Sequence, residues 1–120
     1  MRLTFVETSN FTDIVYKYFI NDNKFILFQN SLLENPERGA VMQGCGGLRK
    51  IRCNDARRGK GKRGGLRVIY LYIPEAHLIL LLDVYDKEEQ DNLSYKERKE
   101  LASIADAYRQ EVLKSLRKRG

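Results

Sequence analysis

The chain has 120 residues, of which 42% are hydrophobic and 32% charged, and its formal net charge is +6. That balance fits one globular domain over residues 1–120 and excludes a disordered chain. No apolar run approaches the roughly 20 residues that cross a bilayer. The first residues, MRLTFVETSNF, lack the basic start and long apolar stretch of a secretory leader, so a cytoplasmic protein with no membrane partner is expected.

Residues 2–6 (RLTFV) alternate and read as a first strand. Phe11, Ile14, Val15, Tyr18 and Phe19 fall at helical spacing, which predicts a helix over 11–20 with Asn10 or Thr12 as its cap. The run Asn21-Asp22-Asn23 breaks it and opens a second helix over 22–34, which Asn35-Pro36 stops. After the glycine-rich 44–47 (GCGG), residues 48–53 (LRKIRC) read as a strand. Alternation puts Leu48, Lys50 and Arg52 on one face and Arg49, Ile51 and Cys53 on the other. Residues 54–65 (NDARRGKGKRGG) have no apolar period and read as a loop, longer than most hairpin connections. Residues 66–73 (LRVIYLYI) and 77–85 (HLILLLDVY) are strands around a Pro74 turn. The second has the continuous apolar run of a strand covered on both faces. Ser94-x-x-Glu97 is a capping box that opens a last helix, whose RKR ending complements the helix dipole. The order is strand, two helices, a three-strand antiparallel meander and a C-terminal helix, an α+β domain.

The charge is concentrated. Residues 49–67 hold nine basic residues and one acid, Asp55, and the rest of the chain is net negative. A polyanionic partner is implied. The glycines at 59–65 do not form a phosphate-binding P-loop, because no Ser or Thr follows a Gly-Lys and a strand, not a helix, comes next. A basic glycine loop that follows a sugar–phosphate backbone fits better than a merely solvated hairpin. Lys50, Arg52 and Arg67 repel one another if they share a sheet face. Such a face is either a phosphate cradle or is neutralised by acids such as Asp83, Asp86 or Glu88. Tyr70 and Tyr72 read as packing residues. Tyr85, at a strand end beside Lys87, is open to base stacking. His77 reads as a surface or edge residue. Cys45, Cys53 and His77 lack zinc-ligand spacing, so no metal and no cofactor is expected. The two thiols fit a reducing compartment, with a bridge between them left open.

Residues 44–52 (GCGGLRKIR), 61–70 (GKRGGLRVIY) and 83–94 (DVYDKEEQDNLS), with 35–39 (NPERG) before them, resemble the RelE/HigB family of bacterial toxins in its HigB-type branch. The resemblance runs in order from about residue 2 to 110. It implies a RelE-like twisted antiparallel sheet with helices on it, and the toxin of a type II toxin–antitoxin pair. Such a toxin is a metal-independent endoribonuclease that cuts mRNA in the ribosomal A site. The implied partners are the ribosome, its mRNA and a helix-turn-helix, HigA-like antitoxin, with operator DNA reached through the antitoxin complex. Residue by residue, Lys50 and Arg52 match the basic pair on the second strand, and Arg67 matches the arginine opening the third. Lys87 matches the basic residue after the last strand, and Tyr85 the tyrosine usual there. Two departures stand out. Leu93-Ser94-Tyr95 gives no match to the family's late tyrosine, and Asp86 is placed to mask Lys87.

The implied reaction is attack of the RNA 2′-OH on the adjacent phosphate. Cationic neighbours favour an amine's neutral, proton-accepting form, so Lys50 is the candidate base. Arg52 and Arg67 would hold the phosphorane, and Lys87 or Tyr85 would aid the leaving group. Arg49, Arg57, Arg58, Lys60, Lys62 and Arg63 are assigned to RNA or ribosome binding. A non-catalytic RNA-binding module and a gyrase-directed toxin of the same fold are the rival readings.

Overall fold

The computed structural model describes residues 2–55, 57, 65–90 and 92–119. The elements are β1 (Thr4–Glu7), α1 (Ser9–Tyr18), α2 (Asp22–Glu34), β2 (Ala40–Val41), β3 (Arg49–Cys53), β4 (Leu66–Ile73), β5 (Leu78–Asp86) and α3 (Tyr95–Arg119). The five strands form one sheet in the order β1-β5-β4-β3-β2. The α+β class and the antiparallel β3-β4-β5 meander are as the sequence predicts. Two strand features are additional. β1 joins the sheet in parallel against β5, so the sheet is mixed. The two-residue β2 forms the far edge against β3. The direction of β1 is set by where the α1–α2 crossover returns the chain, and β2 has only two residues, too few for alternation to mark it.

Both faces of the sheet are covered. Phe11, Val15, Phe25, Phe28 and Leu32 of α1 and α2 pack on Ile51, Val68, Tyr70, Ile79 and Leu81. Leu101, Ala105, Tyr108 and Val112 of α3 pack on Leu48, Ile69, Leu71, Leu80 and Leu82. β4 and β5 are therefore apolar on both sides, which is why they lack alternation. A register shift between Ile69 and Tyr70 makes Leu82 the extra residue of a bulge in β5 and re-aims the end of that strand.

The caps differ in part from expectation. Thr8, not Asn10 or Thr12, caps α1: its hydroxyl oxygen accepts from the Phe11 N–H at 3.2 Å and donates to the Leu82 carbonyl. Asn10 is freed to donate its amide to β5. Asn21 caps α2 by accepting from the Lys24 N–H. The predicted capping box is reciprocal. The Ser94 N–H reaches Glu97 Oε1 at 2.9 Å, and the Glu97 N–H reaches Ser94 Oγ at 3.1 Å.

Tyr70 is a packing residue, as read. It is fully buried, donates to the Pro36 carbonyl at 2.8 Å and accepts from the Gly39 N–H at 2.9 Å. Gly39 must lack a side chain, since a Cβ there would stand 2.8 Å from the Tyr70 ring. His77 is exposed and carries φ 49° where the chain turns into β5. Cys45 and Cys53 are free thiols that belong to the two opposite cores. Burial pushes the Cys53 thiol up to about 12, against the opposing pull of Arg67.

Candidate active site

Strand register brings four sequence-predicted residues onto one face. Arg52 of β3 lies directly opposite Arg67 of β4, and Arg67 directly opposite Tyr85 of β5. Directly opposed residues share a face, so the three side chains form one row across the sheet on the α3 side. Lys50, two residues from Arg52, stands on the same face opposite Ile69. This face is where alternation in 48–53 puts Lys50 and Arg52. The row grades from outside to inside: Arg52 is exposed, Lys50 half-buried, Arg67 8% exposed and Tyr85 4% exposed.

Burial holds the Tyr85 phenol above its ordinary range. Arg67 opposes that shift, and Asp83 and Glu97 add to it. Tyr85 thus sits buried beside the Arg67 that faces it across the strands. Burial also raises the Asp83 carboxyl, against hydrogen bonds from the Val84 N–H at 3.0 Å and the Asn10 amide at 3.4 Å. Asp83 lies on the Tyr85 face, opposite Ile69, and Asn10 reaches it from α1. The spacing of Asn10 suits a helix cap and hides this contact in the sequence.

Lys87 follows β5 directly. Its N–H donates to the Gly65 carbonyl at 2.7 Å and prolongs the β4–β5 ladder, while the residue itself is exposed. Asp86 takes a different course from the one expected. It is 1% exposed, and Arg57 Nη2 lies 2.9 Å from its Oδ2. The strand alternates, so Asp86 faces away from Tyr85.

Two of the residues assigned to RNA binding are committed within the protein. Arg57 grips Asp55 bidentately at 2.9 and 2.7 Å, reaches Asp86, and stacks 4.8 Å over the Tyr18 ring. Arg49 donates to the Gly39 carbonyl at 2.7 Å and the Glu37 carbonyl at 3.1 Å, and its guanidinium lies 3.5 Å from the Glu37 carboxylate. Both clamp the chain where the sequence alone reads free charge. Arg58, Lys60, Lys62 and Arg63 lie outside the described residues.

Beside Lys50 an open cleft of about 490 Å³ runs between the β2 edge and the start of α3. Met42, Gln43, Lys50, Leu93 and Arg98 line it. Arg98 donates to the Gln43 carbonyl at 3.1 Å, tying α3 to the 42–47 turn. The volume lies in the range of small-molecule sites. No spacing in the sequence could reveal it, since its walls come from segments some fifty residues apart.

The model of the RelE toxin of the RelE/RelB toxin–antitoxin system matches residues 10–120. The chain belongs to the RelE toxin family. Solved structures of RelE agree on the fold. An arginine double mutant of E. coli RelE in the free state is 18% identical with a TM-score of 0.54, covering 82% of this chain and 95% of that one. The toxin of the intact E. coli RelBE toxin–antitoxin complex is 16% identical with a TM-score of 0.50, covering 71% and 96%. The same RelE mutant in complex with an antitoxin RelBc peptide is 15% identical with a TM-score of 0.50, covering 79% and 98%. Relative to these RelE chains, part of the present chain extends beyond the matched fold. Among the described residues no helix is long and apolar enough to cross a membrane.

Proposed function

We propose that this RelE-family chain is a ribosome-dependent endoribonuclease that cleaves mRNA in the A site. The single observation that carries the reading is the register row Arg52–Arg67–Tyr85, with Lys50 on the same face. Two guanidinium groups directly opposed across neighbouring strands present forked N–H donors that match the oxygens of a phosphate. The adjoining cleft offers a nucleotide-sized space against Lys50.

In this reading the 2′-OH loses its proton to Lys50 and bonds to the neighbouring phosphorus. Arg52 and Arg67 hold the extra negative charge of the phosphorane. The P–O5′ bond breaks, and the departing oxygen takes a proton from Tyr85 or from the Lys87 ammonium. The products are a 2′,3′-cyclic phosphate and a 5′-OH. Tyr85 suits the donor role because burial keeps its phenol protonated. Side chains carry every proton, so the reaction needs neither a metal nor a cofactor.

The HigB-type branch, with a HigA-like helix-turn-helix antitoxin that neutralises the toxin, represses the operon and brings the pair to operator DNA, belongs to the same proposal. So does a cytoplasmic location, where translating ribosomes are. A small helix-turn-helix reading frame directly downstream of the gene is expected.

Mapping mRNA ends in cells expressing the chain tests the reading. Codon-phased cuts on translating ribosomes are expected, and Lys50→Ala, Arg67→Ala and Lys87→Ala should each relieve growth arrest while the fold survives. Binding without cuts would make the chain an RNA-binding module, and DNA damage without cuts would make it a gyrase poison. Full toxicity in all three variants would displace the site.

A further inference from the structure

The chain carries a second concentration of positive charge that the catalytic row does not use. Residues 95–108 of α3 hold three basic and three acidic residues. From Arg109 to Arg119 the balance becomes five basic against one acid, Glu111. Lys114, Arg117, Lys118 and Arg119 are all exposed, and among the described residues none of the four makes an ion pair. Lys114 stands three and four residues before Arg117 and Lys118, a spacing at which like charges repel on a helix. The helix dipole amounts to about half a charge at that end, so one or two cations would complement it. Four are present, with Glu111 as the single acid of the stretch.

The position of this cluster matters as much as its charge. α3 begins at the site, where Arg98 binds the Gln43 carbonyl. It then packs on the turn at Pro74–Ala76, at the opposite end of β4 from Arg67. From Arg98 to Arg117 the helix axis advances about 28 Å at ~1.5 Å per residue. The molecule is elongated, with extents of 48 × 33 × 24 Å. It therefore presents two positive poles on one rigid body, far enough apart to touch separate phosphate runs.

We infer that the exposed cations Lys114, Arg117, Lys118 and Arg119 form a second docking surface for RNA, which grips ribosomal RNA backbone at the far end of α3, about 28 Å along the helix from Arg98. The inference rests on the ribosome-dependent reading above. RNA is favoured over an acidic protein because the first pole also meets an RNA backbone, and a single folded RNA surface supplies both contacts. Such a contact is sequence-independent and electrostatic, so it sets affinity and orientation and leaves the chemistry unchanged.

The test uses the full chain on ribosomes whose A-site codon carries 2′-O-methyl groups and is uncleavable. Dissociation constants are measured as KCl rises from about 50 to 200 mM, the range over which counterion release is large. The variant combines Lys114→Gln, Arg117→Gln, Lys118→Gln and Arg119→Gln. Four phosphate contacts steepen the salt slope by about 3, so over that range the parent should lose about 60-fold more affinity than the variant. A charge-keeping variant, Arg117→Lys with Arg119→Lys, should retain the parent slope. On saturating ribosomes that carry unmodified mRNA, single-turnover cleavage and the cut positions should be unchanged in all three proteins.

Parallel slopes for parent and glutamine variant would overturn the inference while leaving the nuclease reading intact. So would a variant that binds ribosomes normally and loses only antitoxin, since the cluster would then serve a protein partner. A parent that neither binds nor cuts on ribosomes would overturn both readings.

Discussion

Arg57 and Asp86 are 29 residues apart, yet the guanidinium of one lies 2.9 Å from the carboxylate of the other. With Asp55 they form a cluster against the Tyr18 ring that ties the end of β3 to the end of β5. The two carboxylates are fully enclosed. Removing Arg57 takes a charge-assisted contact from each of two enclosed carboxylates. Arg57→Ala should therefore lower unfolding stability by about 2 kcal/mol, read by urea titration. A loss under about 0.5 kcal/mol would match an exposed charge and count against the clamp.

Tyr70 and Gly39 provide a second stability test. Tyr70→Phe leaves the Pro36 carbonyl and the Gly39 N–H without their partner in a buried place. The expected cost is about 1–3 kcal/mol. Gly39→Ala forces the Tyr70 ring to move, because the new carbon would stand 2.8 Å from it. Thermal melts should show both variants destabilised. The double variant should cost less than the sum of the two, since they disrupt one arrangement.

The assignment of the proton donor can be decided by the leaving group. A substrate with a 5′-bridging sulfur departs without needing a proton. If Tyr85 is the donor, Tyr85→Phe should slow cleavage of ordinary RNA by about 10²–10⁴ and be close to the parent on the sulfur substrate. Arg67→Ala should be slow on both, because its work is on the phosphorane. If Lys87→Ala shows the rescue and Tyr85→Phe does not, the roles reverse.

Asp83 and Glu97 should give opposite pH signatures. Burial raises the folded pKa of Asp83, so its carboxylate opposes folding at neutral pH and the penalty is relieved as pH falls through that raised value. Asp83→Asn should raise Tm at pH 7, and the gain should vanish below about pH 4, where both states of the parent are protonated. Glu97 is held below the ordinary range by the Ser94 N–H. Its contribution is present above the unfolded value and is lost as pH falls through the folded one. Ser94→Ala should cost about 1 kcal/mol at pH 7 by removing the cap.

Much of this molecule is local and can be read along the chain. Helical spacing found α1 and α2, the Ser94–Glu97 box opened α3, and unbroken apolar runs marked β4 and β5 as covered on both faces. Period-two alternation also put Lys50 and Arg52 on one face, because a strand has no other way to turn its side chains. The resemblance in the blocks around Lys50, Arg67 and Tyr85 pointed to the right toxin family. What tertiary structure alone decided is pairing. The parallel seat of β1, the opposition of Arg52, Arg67 and Tyr85, and the cleft beside Lys50 all join segments that the sequence keeps apart. Pairing also decided which charges are free. Arg49 and Arg57 look like neighbours of Lys50 and Arg52 in the sequence, but register and burial turn them into clamps on Gly39, Asp55 and Asp86. A run of basic residues reports charge. Only the fold determines which partner each charge meets first.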